Sequence, residues 1–252
     1  MPDTPYPDPT SVAPDESARI TARLAGYDWR ALAQSLDEVG HAVLPALLGP
    51  DECKQLIAGY DEEPRFRKRV VMGRHGYGMG EYQYFSQPLP PLVQALREVG
   101  YTHLIDIANR WAERLRSERR FPETLSALGE ACLAVGQHKP TPLLLKYGPG
   151  DYNRLHQDLY GEIVFPLQLA VLLNRPDVDF QGGEFVLTEQ RPRMQSRVEV
   201  VPLARGDAVL FPVALRPVAG VRGDHRVQMR HGVSRIRGGA RFTLGVIFHD
   251  AS

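Results

Sequence analysis

The chain has 252 residues, 43% hydrophobic and 24% charged, enough for one well-packed β-rich domain. Thirty basic and thirty acidic side chains cancel, so no global field draws the molecule to nucleic acid or membrane, and any such preference must come from local patches. Cys53 and Cys132 stand far apart and in no CxxC pairing, no start is basic then apolar, and no run approaches the ~18 apolar residues of a span; a disulfide framework, a cysteine zinc site and a membrane anchor are therefore not expected, and a cytoplasmic location is.

Residues 1–16, rich in Pro, Asp, Ser and Thr, read as a mobile tail that cannot offset the entropy of ordering. The spacing of Ile20, Leu24, Trp29, Leu32 and Leu36 predicts a helix over 17–39, broken near Gly26, with Asp28 capping the second piece and Gly40 ending it. A short apolar strand over 41–48, a Gly49-Pro50-Asp51 turn and a helix over 52–60 follow. The basic and aromatic run 65–85 has the composition of a lid that stacks bases and holds phosphates, and equally of an edge hairpin. Helices are predicted over 91–116, with Leu92, Leu96, Leu104, Ile107, Ala108 and Trp111 as the buried stripe, and over 122–135.

Beyond Gln137 short β-branched and aliphatic runs alternate with Gly, Pro, Asn and Asp. Strands are predicted at 143–147, 153–156, 166–173, 184–187, 198–202, 208–211, 228–233 and 241–248. The expected fold is α+β: a jelly-roll, or double-stranded β-helix, core over about 140–250 with helices on one face, in a single domain over 17–252.

The segment Tyr147-Gly-Pro-Gly-Asp-Tyr-Asn-Arg-Leu-His156-Gln-Asp158 ends in His-x-Asp, and strand side chains two apart point the same way. His231, distant in the chain, can complete a two-histidine, one-carboxylate metal site that leaves positions open for substrates, as in non-haem Fe(II) oxygenases. His225 and His249 compete as the distal ligand, but neither is followed at the right distance by Arg-x-Thr. After His231 comes Arg241-Phe-Thr243, which opens an otherwise apolar strand; a guanidinium and a hydroxyl then share one face, where an arginine calls for an anion.

These motifs, from Tyr147 to Asp250, resemble the 2-oxoglutarate/Fe(II) oxygenase superfamily. Tyr-x-Pro-Gly leading to His-Gln-Asp is similar to the AlkB-type oxidative demethylases, although Leu145 replaces the Asn of that pattern. Gly182-Gly183-Glu184 is similar to the prolyl hydroxylase branch. The whole run Leu143–Asp250 also resembles a bacterial group proposed to oxidise damaged nucleic acid. The resemblance implies a catalytic Fe(II) held by His156, Asp158 and His231, and 2-oxoglutarate held by Arg241 with Thr243 and Tyr147. It implies O₂ as second co-substrate and ascorbate as a stimulant. Its substrate classes are alkylated nucleic-acid bases, or a protein or amino-acid side chain; a non-catalytic cupin-like module is the remote alternative. Arg191, Arg193, Arg197, Arg216, Arg222, Arg226 and Arg230 are expected near the barrel mouth.

Overall fold

The computed structural model describes residues 14–191, 193–221 and 223–252. The expected tail lies outside these as far as residue 13. In the helical half, α1 (Pro14–Ala25) and α2 (Trp29–Val39) are separated as predicted. The Asp28 carboxylate accepts the Arg30 and Ala31 amides at 3.1 and 3.0 Å, and Gly40, at φ +85°, donates to the Leu36 carbonyl. That satisfies orphan groups at both ends of α2. β1 (Ala42–Leu44) leads to α3 (Pro50–Ala58), whose Glu52 accepts the Gly49 amide at 2.7 Å and pairs with Arg19 and Arg23 of α1 at 2.6 Å.

The run 65–85 folds as β2 (Phe66–Val71), β3 (Gly78–Met79) and β4 (Glu81–Phe85), with β2 antiparallel to β4. α4 (Pro91–Arg114) follows, then α5 (Leu125–Ala134), which starts later than predicted because the Thr124 hydroxyl accepts the Ala127 amide as its cap. α4 leaves Leu92 of the predicted stripe half-buried and buries more besides, adding Val93, Ala95, Tyr101 and Ala112, because it lies between the sheet on one side and α1 and α5 on others.

The eight predicted strands all form: β5 (Leu143–Tyr147), β6 (Tyr152–His156), β7 (Leu167–Leu172), β9 (Phe185–Gln190), β10 (Arg197–Val201), β11 (Ala208–Pro212), β13 (His225–Val233) and β15 (Arg241–Ile247). Three short ones were not predicted: β8 (Phe180–Gly182), β12 (Leu215–Val218) and β14 (Ile236–Gly239). Each is only three or four residues long, too short to show a period of two, and forms by pairing with a distant or neighbouring strand.

Two antiparallel sheets face each other, in the orders β1-β11-β7-β15-β5-β4-β2 and β10-β9-β13-β6-β3, with β12 on β13 and β14 pairing β8. Alternation sorts the larger sheet into two functions. Phe242, Leu244, Val246 and Phe248 join Leu144, Leu169, Val171 and Leu210 in the core beneath the helices. The intervening Arg241, Thr243, Gly245 and Ile247 face the smaller sheet, beside Leu143, Leu145, Tyr147, Tyr82 and Tyr84. Buried Arg97 of α4 donates to the Ile247 and Phe248 carbonyls at 3.0 and 2.8 Å and so fixes the end of β15. Among the described residues no helix is long and apolar enough to cross a membrane.

Arg216 corrects one expectation. It is fully buried rather than at the barrel mouth, paired with Glu189 and donating to the Asp37 carbonyl at the end of α2. Arg191 and Arg197 also turn onto Glu189, Arg193 and Arg230 are exposed, and Arg226 donates to the Leu115 carbonyl. Arg222 lies outside the described residues.

Candidate active site

His156 closes β6 and is the direct cross-strand partner of His231 on β13, so the two imidazoles lie side by side with ring centroids 4.1 Å apart. Asp158, two residues on and 6% exposed, continues the alternation past the strand end and brings its carboxylate to both rings. Nε2 of His156 is 3.5 Å from Oδ1 and Nε2 of His231 is 3.3 Å from Oδ2. The side chain between the two, Gln157, donates to the Ala214 and Met229 carbonyls at 3.1 and 2.8 Å and pins the segment against β13.

The His156 Nδ1–H donates to the Arg154 carbonyl at 2.7 Å, which leaves the Nε2 lone pair directed inward. One atom from each of the three residues lies within 4.8 Å of the others, a grouping that could hold a metal ion. Burial would raise the Asp158 carboxyl, but the charges and hydrogen bonds of His231 and His156 outweigh it and hold the group well below the usual carboxylate range. Burial also lowers His231. For His156 the pull of burial is overcome by the Asp158 hydrogen bond and charge, so its pKa is raised. His225 is exposed, and His249 is fully buried with Nδ1 accepting the Phe165 amide at 3.2 Å; neither joins the group.

On the facing sheet Arg241 is 2% exposed and pairs in register with Tyr147, while Thr243 pairs with Leu145. Arg241 Nη1 donates to the Thr243 hydroxyl at 2.6 Å, and its Nε has no partner among the described residues. Burial draws its pKa down to about 10, so it remains a cation at neutral pH. Among the described residues it makes no ion pair; Glu184 acts on it only at longer range, being held by Ser234 and Arg237. The Tyr147 hydroxyl is buried beside it with no partner among the described residues, and the Tyr147 and Phe180 rings lie 5.7 and 5.9 Å from the guanidinium.

All six predicted residues therefore line one cavity of about 600 Å³ between the sheets. The basic-aromatic run forms its wall and rim. Arg65 and Arg69 are consumed by Glu62 and Glu81, and Arg67 stacks over Tyr84, whereas Lys68, His75 and Tyr77 remain on the cavity rim. Two residues, Tyr160 and Gln168, went unnoticed in the sequence, and a third, Gly183, stood out there only by its resemblance. Tyr160 donates to Asp158 Oδ1 at 2.6 Å, and buried Gln168 reaches the cavity from β7 with no partner for its Nε2 among the described residues. Gly183, at φ +66°, lies so close over Arg241 that a Cβ there would sit 2.9 Å from its Cδ and 2.2 Å from Ile236 Cδ1. The period of two running through His156, Asp158 and Tyr160 was the available signal for the first; nothing local marks Gln168.

Residues 80–251 match a family of oxygenases described as catalysing oxidative methylation of damaged DNA. The chain belongs to this oxygenase family. The oxygenase is 45% identical over 168 residues to the Mycobacterium tuberculosis H37Rv protein called uncharacterized protein Rv2227, a match that spans 67% of this chain and 72% of the relative. Among solved structures it is similar to a 2OG-Fe(II) oxygenase family oxidoreductase from Burkholderia pseudomallei, with TM-score 0.53, 16% identity, and 90% and 94% of the two chains covered. It is also similar to a Pseudomonas putida prolyl-4-hydroxylase, with TM-score 0.50, 16% identity, and 89% and 99% covered. At such identities these likenesses establish the fold, the double-stranded β-helix of the 2-oxoglutarate oxygenases.

Proposed function

We propose that this oxygenase is an Fe(II)- and 2-oxoglutarate-dependent dioxygenase acting on alkylated bases of nucleic acid, with its catalytic domain spanning 17–252. His156, Asp158 and His231 hold the iron; Arg241, assisted by Thr243 and Tyr147, holds the distal carboxylate of 2-oxoglutarate. One observation carries the reading: a metal-competent triad shares a single cavity with a buried guanidinium that has no counter-ion among the described residues. A buried cation is tolerated where an anion arrives to pair with it, and a dicarboxylate that also reaches the metal meets that need.

The donor set suits the metal. Two neutral imidazoles and one carboxylate on one side are the ligand types of a ferrous facial site. Bound iron supplies O₂ activation coupled to oxidative decarboxylation of 2-oxoglutarate to succinate and CO₂, and ascorbate serves to keep it ferrous. The protein's own part is placement. The His156 tautomer is set by the Arg154 carbonyl, Gln157 ties the His-Gln-Asp segment to β13, and Phe185 and Phe211 pack against His231 on its apolar side. Oxidation of an N-methyl carbon to a hydroxymethyl group is followed by collapse to formaldehyde and the free amine.

The substrate class is supported by the description of the family and by the rim, where His75 and Tyr77 stack with centroids 5.3 Å apart near exposed Lys68 and Arg154. An aromatic platform beside cations is the chemistry that meets a base and its phosphate. The test is 2-oxoglutarate decarboxylation by iron-loaded protein, stimulated in parallel by methylated DNA, methylated RNA, peptides and amino acids. Formaldehyde release with methylated oligonucleotides, weakening steeply with salt, is expected. Stimulation by peptides or amino acids alone, with a stable hydroxylated product, overturns the nucleic-acid assignment. Absence of any 2-oxoglutarate binding or turnover overturns the whole reading.

A further inference from the structure

Asp158 has a third polar neighbour besides the two histidines, and it shares Oδ1 with His156. The Tyr160 hydroxyl donates to Oδ1 at 2.6 Å, the length of a strong hydrogen bond to an ionised carboxylate. Among the described residues no backbone amide or other hydroxyl donates to this carboxylate. Torsion about the bond carrying a carboxylate is broad and roughly two-fold, so a short, directed hydroxyl donor biases which oxygen turns where. With Oδ1 engaged by Tyr160, Oδ2 is left on the side of His231.

Tyr160 is itself one end of a stack. Its ring meets Tyr84 edge-on at 6.3 Å and 88°, and Tyr84 meets Tyr82 edge-on at 5.3 Å and 85°. The Tyr84 hydroxyl interacts with those of both neighbours. Arg67 lies 4.5 Å over the Tyr84 ring and is anchored to the Pro140 carbonyl at 2.9 Å, so the middle ring is clamped from outside. Tyr82 and Tyr84 project from β4 into the cavity and form part of the wall that an occupant touches.

We infer that Tyr160 is a positioning residue that sets the orientation of the Asp158 carboxylate toward the metal, and that Tyr84 and Tyr82 tie that orientation to the cavity wall. The inference rests on the reading of His156, Asp158 and His231 as a metal site. Tyr160 acts through the Asp158 carboxylate, to which its hydroxyl donates, and the wall acts through Tyr160. Contacts of this outer kind are worth roughly 10- to 100-fold in metal affinity.

The experiment titrates metal-free wild type, Tyr160→Phe, Tyr84→Phe and His231→Ala with Co(II), reading affinity by chelator competition and ligand geometry by the visible absorption bands. Wild type is expected to bind one Co(II) and His231→Ala to lose most of that affinity. Tyr160→Phe should weaken binding roughly 10- to 100-fold and shift the bands, and Tyr84→Phe should shift them the same way with a smaller loss. Wild-type affinity and bands in Tyr160→Phe overturn the inference, as does a lower unfolding temperature of the metal-free variant with unmoved bands, which is the mark of a packing role. If Tyr160→Phe does not fold, Tyr84→Phe decides, since it keeps the Tyr160 hydroxyl; unchanged affinity and bands there overturn the inference. Equal binding by wild type and His231→Ala fails the metal-site reading itself, a separate result.

Discussion

Arg241 is 2% exposed and, among the described residues, has a hydroxyl but no carboxylate for company. Such a group costs the empty protein stability and repays it only when an anion binds. Replacing it with methionine, which fills similar space without charge, is therefore expected to make the protein without co-substrate more stable, by about 1 kcal/mol or more. The same change should weaken 2-oxoglutarate about 100-fold, the scale of losing a buried charge-assisted contact. Urea unfolding and calorimetric titration check the two halves, and wild-type affinity for 2-oxoglutarate in Arg241→Met would refute the assigned role. At this scale the sequence was informative where chemistry is rare. His-x-Asp, the distant His231 and Arg-x-Thr are combinations whose bland readings are few. Tyr160 and Gln168 are ordinary core and strand residues, and only their neighbours give them meaning.

At the scale of elements, the Gly182-Gly183 turn between β8 and β9 brings backbone onto the guanidinium. A side chain at Gly183 meets both the left-handed backbone and the Arg241 and Ile236 side chains. Gly183→Ala is thus expected to lose about 1–3 kcal/mol of stability and roughly 10-fold or more in 2-oxoglutarate affinity as Arg241 is displaced. Gly136 has a similar φ of +82° but nothing within 4 Å of where a methyl would stand, so Gly136→Ala should cost about 1 kcal/mol and leave co-substrate binding untouched. Equal effects on binding in the two variants would remove the steric argument. The resemblance of Gly-Gly-Glu to other oxygenases was legible, but its reason was not, because a glycine needed for close approach looks the same in sequence as one needed for a turn. The run 65–85 is a second case. Its composition fitted a lid and a hairpin equally, and strand pairing made it a sheet edge that turns Tyr82 and Tyr84 inward while leaving Lys68 and Tyr77 on the rim.

At the scale of the whole molecule, α2 is joined to the smaller sheet and its edge through Arg216, whose guanidinium meets Glu189 and the Asp37 carbonyl. Removing one partner leaves the other charge buried. Glu189→Leu alone should cost about 3–5 kcal/mol, and Glu189→Leu with Arg216→Leu far less, a difference that unfolding of the single and double variants measures; additive losses would refute the coupling. Acid acts on a different buried group. Burial lowers His249 from 6.5 to about 4, and the Phe165 amide donated to Nδ1 favours the neutral ring. Below pH 6.5 the unfolded chain takes up a proton that the folded one refuses until about pH 4. Stability attributable to His249 therefore falls across that window, by up to about 3 kcal/mol. Metal-free wild type and His249→Leu, unfolded in urea above pH 6.5 and near pH 4, should differ in this slope; parallel pH dependence would exclude the assignment.

The sequence by itself determined what is local or periodic. Helix caps at Asp28 and Gly40, the eight strands, the split of β15 into a core face and a cavity face, and residue types suited to a metal and a dicarboxylate all follow from spacing and chemistry. The tertiary structure alone decided which distant groups meet. That His231 stands opposite His156, that Gly183 covers Arg241, that Arg216 is buried on Glu189 and that a tyrosine stack ends on Asp158 depend on strand register and sheet packing. Such contacts carry no signature in one dimension, because the free energy that selects a register is gathered over whole faces rather than at the residues that come to touch.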